Sequence, residues 1–259
     1  MEERLKIESA AGIAELRLAR PDKLNAVDEA MFVALAEAGA ALAADKSVRA
    51  VVISGEGRGF CAGLDRSLFS PRGAALIGGP KDEYGANLLQ RAITIWRRVP
   101  APVIVALHGP VLGAGLQLAL SADIRIATPD AELALAEIRW GLVPDLGGVK
   151  ALAGLVGDDV ARDLIYTGRS VSGAEAAGLG LVTRLAADPR EAALALAGDL
   201  ASRSPSAIRA AKRLCNAAID ADMAQMLALE CAEQQSLIGE PDQIEAVMSN
   251  IQKRKPNFA

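Results

Sequence analysis

Apolar and polar positions alternate over residues 5–9 and 13–18, with Gly12 between them; this period of two predicts two short strands joined by a tight turn. The next segment, 28–44, opens on Asp28-Glu29 and is filled with Ala, Leu and Met, which predicts a helix. Residues 48–54 and 102–107 are unbroken apolar runs, as expected of strands covered on both faces. The run Gly55-Glu56-Gly57-Arg58-Gly59-Phe60-Cys61-Ala62-Gly63 is a loop whose path needs glycine backbone. Pro71, Gly73, Gly78, Gly79 and Pro80 predict a mobile loop over 70–81, and a helix follows over 82–98. A further helix starts at Gly113-Ala114-Gly115, and 124–127 and 132–135 read as short strands. Beyond Gly147 the periodicity becomes helical over 148–155, 158–166, 172–178, 190–203, 205–219, 221–238 and 241–252, with one strand at 181–184. Strand-strand-helix recurs loosely without a fixed residue period.

The pattern describes an α/β body over residues 1–190 and a helical region over 191–259, with no linker separating independent domains. At 51% hydrophobic and 23% charged, the chain has globular composition. Aromatics are only 3%, so the core relies on small side chains and close backbone approach. Lys and Arg total 28 against 32 for Asp and Glu, and the net charge of −4 leaves no basic excess to recruit nucleic acid or an anionic membrane. The apolar stretch 99–127 is cut by Pro100, Pro102, His108, Pro110, Asp123 and Arg125, so it predicts no membrane span. The N-terminus lacks the apolar core of a targeting segment. His108 is the single histidine, which excludes a multi-His metal site. Cys61, Cys215 and Cys231 are odd in number and far apart, fitting a reducing cytoplasm rather than a disulfide framework.

Two features could carry chemistry. Cys61-Ala62-Gly63-Leu64-Asp65 and Gly113-Ala114-Gly115-Leu116-Gln117 each follow a strand and present backbone N–H groups uncovered by bulky side chains. Two such donors converging on one point make an oxyanion hole; otherwise these are tight turns and close helix packing. The second feature is Glu137-Ile138-Arg139-Trp140-Gly141-Leu142-Val143-Pro144-Asp145, with two carboxylates eight residues apart among apolar neighbours. Partial desolvation would suit them to general acid/base work. Alternatively, Glu137 is a surface residue paired with Arg139, and Asp145 an N-cap.

At this point the residues resemble the crotonase superfamily, the enoyl-CoA hydratase/isomerase family, over essentially the whole chain. The resemblance rests on Arg20-Pro21-Asp22-Lys23-Leu24-Asn25-Ala26, Phe60–Asp65, His108–Gly115, Ala122–Ala127, Tyr166-Thr167-Gly168-Arg169 with Glu175-Ala176 and Gly178–Val182, and Lys253-Arg254-Lys255-Pro256-Asn257-Phe258, in the family's order and spacing. It implies a crotonase-like spiral of ββα units whose C-terminal helices trimerise, as a homotrimer or dimer of trimers, with the acyl-CoA site in the α/β body. The implied oxyanion donors are the backbone N–H of Leu64 and Ala114. The implied CoA contacts are Lys23, Leu24, Ala26, Ala62, Gly63, Asp65 and Gly113, with the basic end 253–255 near the phosphates. Trp140 and Leu142 would line the acyl pocket, and loop 66–82 would tune it.

The catalytic positions implied are Gln117, Glu137 and Asp145. Related hydratases carry a second Glu where Gln117 stands, and Gln cannot trade a proton. Asp145 falls where dienoyl-CoA isomerases of the family carry a catalytic Asp. The resemblance therefore implies double-bond shifting in an enoyl- or dienoyl-CoA, with syn hydration of a 2-enoyl-CoA as the alternative and a non-catalytic acyl-CoA-binding member as a third. No metal or other cofactor is implied, because CoA enters with the substrate. His108 is expected to satisfy a local hydrogen bond and Cys61 to be a packed thiol. Cys215 and Cys231 are expected in the core or an interface.

Overall fold

In a computed structural model, which describes residues 3–258, the N-terminal alternation forms an antiparallel hairpin. Strand β1 (Leu5–Ala10) pairs with β2 (Ile13–Leu18) across the turn Ala11-Gly12. Helix α1 (Glu29–Ala44) is capped by Asp28, whose carboxylate accepts the Met31 N–H. Strand β3 (Ala50–Gly55) then joins β2 in parallel. The region 70–81, expected to be a mobile loop, contains helix α2 (Pro71–Ile77): Ser70 caps it and Pro71 supplies a preset φ, signals that outweighed the glycines. Helix α3 (Leu88–Arg98) starts six residues later than the sequence suggested. Asp82 accepts the Tyr84 and Ala86 N–H groups and holds 82–86 as a turn, and an Asn87–Gln90 capping box sets the helix start.

Strand β4 (Val103–Leu107) is followed by a short strand, β5 (Pro110–Leu112), which the sequence reading missed, and by α4 (Ala114–Ser121). Next come β6 (Ile124–Ala127), β7 (Glu132–Ala134), α5 (Gly148–Ala153), α6 (Asp158–Thr167), the two-residue strand β8 (Val171–Ser172) and α7 (Gly173–Leu179). The strand expected at 181–184 is only β9 (Arg184–Leu185), because Leu181 and Val182 bond back to the end of α7. Four helices complete the chain: α8 (Pro189–Ala201), α9 (Pro205–Ala217), α10 (Met223–Leu237) and α11 (Pro241–Ile251).

The main sheet has six strands in the order β1-β2-β3-β4-β6-β9, parallel except for the first pair; the second has three, β5-β7-β8. Side chains along β3 and β4 alternate between two cores. Val51, Ile53, Val103, Val105 and Leu107 join the large core beneath α1, α3 and α4, while Ala50, Val52, Ile104 and Ala106 meet Ala193 and Ala197 of α8. Coverage on both faces explains their unbroken apolar runs. No helix among the described residues is long and apolar enough to cross a membrane. The two glycine turns leave the carboxyl ends of β3 and β4, where parallel sheets open toward ligands.

Candidate active site

The first turn is held by backbone pairing. The Val27 N–H donates to Gly63 C=O at 2.8 Å, and the Asp65 N–H donates to Val27 C=O at 2.9 Å. In this parallel bridge the residues flanking Leu64 make the bonds, so its own N–H is turned the other way. The second turn brings in Ala114 as the first residue of α4, whose N–H has no intrahelical acceptor. Neither N–H is bonded within the described residues. The turns abut: a Cβ on Gly63 would lie 3.9 Å from the Ala114 nitrogen, and one on Gly113 would lie 4.0 Å from Gly63 Cα. Gly113, at φ 51°, has a left-handed backbone and no room for a side chain, because its Cβ would sit 3.3 Å from Glu137 Oε1. The two donors and the Glu137 carboxylate therefore share one corner.

Gln117, 1% exposed on α4, connects the elements around that corner. Its Oε1 accepts from Leu146 N–H at 2.9 Å and from Gly148 N–H at 3.1 Å, and its Nε2 donates to Glu137 Oε1 at 2.8 Å. The amide is thus held at both ends and fixes the direction of the Glu137 carboxyl. Glu137 lies in the short turn after β7, and its Oε2 is buried with no hydrogen-bond partner among the described residues. Glu137 Oε2 and the two backbone N–H groups are thus unpaired polar groups of one corner among the described residues. Burial pushes the Glu137 pKa up, helped by the negative charge of Asp145 and opposed by its own N–H and the Gln117 amide. Asp145 is open to solvent at one side, yet the protein around its carboxyl raises its pKa as well. It does not cap α5, whose N-cap is Gly147. Its carbonyl accepts from Gln90 Nε2 at 3.0 Å, which anchors it to α3. The role of Gln90 had no local signal in the sequence, since this bond spans two distant segments.

The other implied positions scatter around the first turn. Lys23 is exposed, while Leu24 and Asn25 take left-handed backbone at φ 48° and 57°. Leu24 C=O accepts the Ala62 N–H, and Ala26 C=O accepts from Arg20 at 2.6 Å, so 24–26 runs beside 62–64. Asn25, given no role by the sequence reading, is fully buried; its Nδ2 donates to Glu56 and Gly59 C=O and its Oδ1 accepts the Arg20 N–H. Asparagine tolerates this backbone, which was the available hint. The Asp65 carboxylate accepts from Ser67 N–H at 2.9 Å and from Arg20 at 3.0 Å, and the Ser67 bond leads in lowering its pKa. Trp140 is 61% exposed and packs against Phe69 at 5.4 Å, and Leu142 is also exposed. A cleft next to the segment bearing Asp145 is lined by Gln90, Thr94, Arg97, Gly147 and Asn216.

His108 Nε2–H donates to Gly57 C=O at 3.0 Å. The Cys61 thiol is fully buried and its pKa is pushed up to about 12, so it is no nucleophile at neutral pH. Cys215 and Cys231 were expected in the core or an interface; both are exposed in the single chain, so neither is in its core.

The sequence profile of the enoyl-CoA hydratase/isomerase family matches residues 8–259. The chain belongs to that family. It is 35% identical to "Enoyl-CoA hydratase domain-containing protein 2, mitochondrial" of Bos taurus, over 95% of this chain and 84% of the relative. It is 35% identical to "Probable enoyl-CoA hydratase" of Rhizobium meliloti (strain 1021), over 99% of this chain and 98% of the relative. A solved structure described as a putative enoyl-CoA hydratase from Streptomyces coelicolor A3(2) superposes with a TM-score of 0.89 at 35% identity, covering 99% of this chain and 94% of that one. The fold of this family member is the crotonase fold, with its helical C-terminal region.

Proposed function

We propose that this enoyl-CoA hydratase/isomerase family enzyme moves a carbon–carbon double bond along an acyl chain carried as a CoA thioester. The observation that carries this reading is the division of labour at one corner. Gln117 is locked by three hydrogen bonds and cannot change charge, whereas Glu137 and Asp145 both can, and both have raised pKa values. The Leu64 and Ala114 N–H groups would hold the thioester oxygen as it takes up negative charge. One such donor is worth roughly 2.7–4 kcal/mol in comparable sites. In a 3-enoyl thioester, one carboxylate removes a proton from C2, the electrons spread to the carbonyl oxygen and C4, and the other carboxyl places a proton on C4. Protons and electrons balance, and the product is the 2-enoyl thioester. Glu137, beside Gly113 and the donors, suits C2; Asp145, two residues before the cleft-lining Gly147, suits C4. CoA enters as part of the substrate, and these steps call on no further cofactor.

A second reading is syn hydration of a 2-enoyl-CoA, favoured by the names of the relatives. Here Glu137 Oε2 would handle a water in place of a carbon-bound proton. Spectroscopic assay decides between them. The isomerase reading expects turnover of 3-enoyl- and 3,5-dienoyl-CoA to exceed hydration of crotonyl-CoA. Fast crotonyl-CoA hydration that survives Asp145→Asn would replace it with the hydratase reading.

A further inference from the structure

Helix α3 turns Gln90, Thr94, Arg97 and Arg98 toward a cleft of about 470 Å³. Gln90 stands at its inner end, holding the Asp145 carbonyl. Gly147 forms the facing wall, so close that a Cβ there would meet Thr94 Cγ2 at 3.0 Å. Seven residues of helix carry the backbone roughly 10 Å from Gln90 to Arg97. Gln90 and Gly147 join the cleft to the segment that carries Asp145, and Arg97 lies about two helical turns further along it.

Arg97 is half-buried, and its guanidinium makes no ion pair or hydrogen bond with any described residue. Every other described Arg or Lys lacking such a partner lies on the open surface. The charges around Arg97 do not compensate it. It faces Lys212 and Arg125, and its positive charge works against theirs. Asp123, the carboxylate between them, is already engaged by Lys212 Nζ at 2.7 Å and by Val103 N–H at 2.7 Å. Arg98 is occupied by Asp82 at 3.5 Å and by the Tyr84 ring at 3.8 Å. Asn216 donates to the Arg97 carbonyl at 3.0 Å, which leaves the guanidinium free while holding its backbone. A partly dehydrated guanidinium without a counter-ion is unfavourable, and an apolar tail laid over it would remove more of its water.

We propose that the acyl group taken by this site ends in a carboxylate, which Arg97 receives at the far end of the cleft. The inference rests on the reading that an acyl-CoA thioester reacts at Glu137 and Asp145, and it names the substrate class as the mono-thioester of a dicarboxylic acid. A planar guanidinium can grip such a group through two parallel hydrogen bonds, which strengthens binding and fixes the length of tail preferred.

Hexanoyl-CoA and adipoyl-CoA differ only in the terminal carboxylate, and neither has a double bond to move or hydrate. Titration calorimetry on the unaltered protein should find adipoyl-CoA bound about 10-fold more tightly or better. Salt should reduce the difference. Arg97→Met should erase it, and Arg97→Lys should keep part of it, with native circular dichroism in both. Equal affinities in the unaltered protein, or a preference that survives Arg97→Met, would overturn the assignment. Assay of the mono-CoA thioester of hex-3-enedioic acid separates the two readings. A tail preference in calorimetry without double-bond movement leaves Arg97 in place and overturns the isomerase reading. Failure of both thioesters to bind overturns the two together.

Discussion

In the proposed reaction Gln117, Glu137 and Asp145 divide the work of the corner between a fixed amide and two titratable carboxyls. General acid/base action contributes about 10²–10⁴-fold, so Glu137→Gln should lose that order of kcat. Asp145→Asn should lose a comparable factor on 3,5-dienoyl-CoA and far less on crotonyl-CoA, as followed by absorbance. The raised pKa values set the pH dependence. A carboxylate acting as base is lost as pH falls through its folded pKa, so the acid limb of kcat/KM should lie above the ordinary carboxylate range. Asp145→Asn removes a charge that raises the Glu137 pKa and should move that limb to lower pH. Stability follows the same sign. With the folded pKa of Glu137 above its unfolded value of 4.5, its contribution is present below that value and is lost as pH rises through the folded pKa. Glu137→Gln should therefore be more stable than the parent at neutral pH, with the difference vanishing in acid denaturation series. Gln117→Glu would set two carboxyls side by side where one hydrogen bond now stands, so they must share a proton. Its acid limb should rise, and its hydration rate should rise relative to isomerisation. Gln117→Leu instead orphans the Leu146 and Gly148 N–H groups, at about 1–3 kcal/mol each in a denaturant titration.

Among elements, α4 does the most for the proposed site, because its first turn is both a helix start and half of the proposed oxyanion pair. Proline is tolerated at a first helical position, where the lost N–H has no intrahelical partner. Ala114→Pro should therefore keep its far-UV circular dichroism while kcat falls roughly 10²–10³-fold. Full activity in a folded variant would remove the Ala114 N–H from the hole. Gly115→Ala should behave differently. Its Cβ would meet Cys61 Cβ at 2.6 Å and the Cys61 carbonyl oxygen at 2.7 Å, pushing the two turns apart and costing stability as well as rate.

Across the whole molecule, the unresolved balance is at the C-terminus. Helix α10 buries none of its residues within the chain and leaves Met223 and Leu227 exposed, and Ile244 and Ile251 of α11 are exposed too. Apolar helix faces of this kind seek cover, which copies of this chain would supply in the proposed trimer or dimer of trimers. Sedimentation should give a trimer or a multiple of it, and Leu227→Glu should shift it toward smaller species. The basic end belongs to the same question. The Phe258 carbonyl accepts from Arg49 at 2.8 Å beside the start of β3, whereas the loop bearing Gly63 leaves the other end of that strand. Arg254 is engaged by Glu245 at 2.7 Å. If Lys253 and Lys255 meet CoA phosphates, they do so in a neighbouring subunit. Charge reversal at these lysines should then raise KM for acyl-CoA only in the assembled protein, while reversal at Lys23 should raise it in any state.

What the sequence determined by itself was local or written in short motifs. The alternation of 13–18, the apolar runs at 48–54 and 102–107 and the capped helix after Asp28 follow from period, propensity and caps, so the strands and helices near the site were legible. The two glycine turns and the Glu137–Asp145 spacing were legible for the same reason, since both lie within a few residues of chain. Three short strands were misread or missed because two or three residues carry no periodicity; β5, β8 and β9 exist through their partners. Only the tertiary structure could show that Gln117 clamps Glu137 to the Leu146 and Gly148 N–H groups, because its three partners lie 20 to 31 residues away. It alone placed Gln90 against Asp145 and left Arg97 without an anion among the described residues. Hydrogen bonds between distant segments and the absence of a counter-ion are properties of packed neighbours, and no window of sequence contains them.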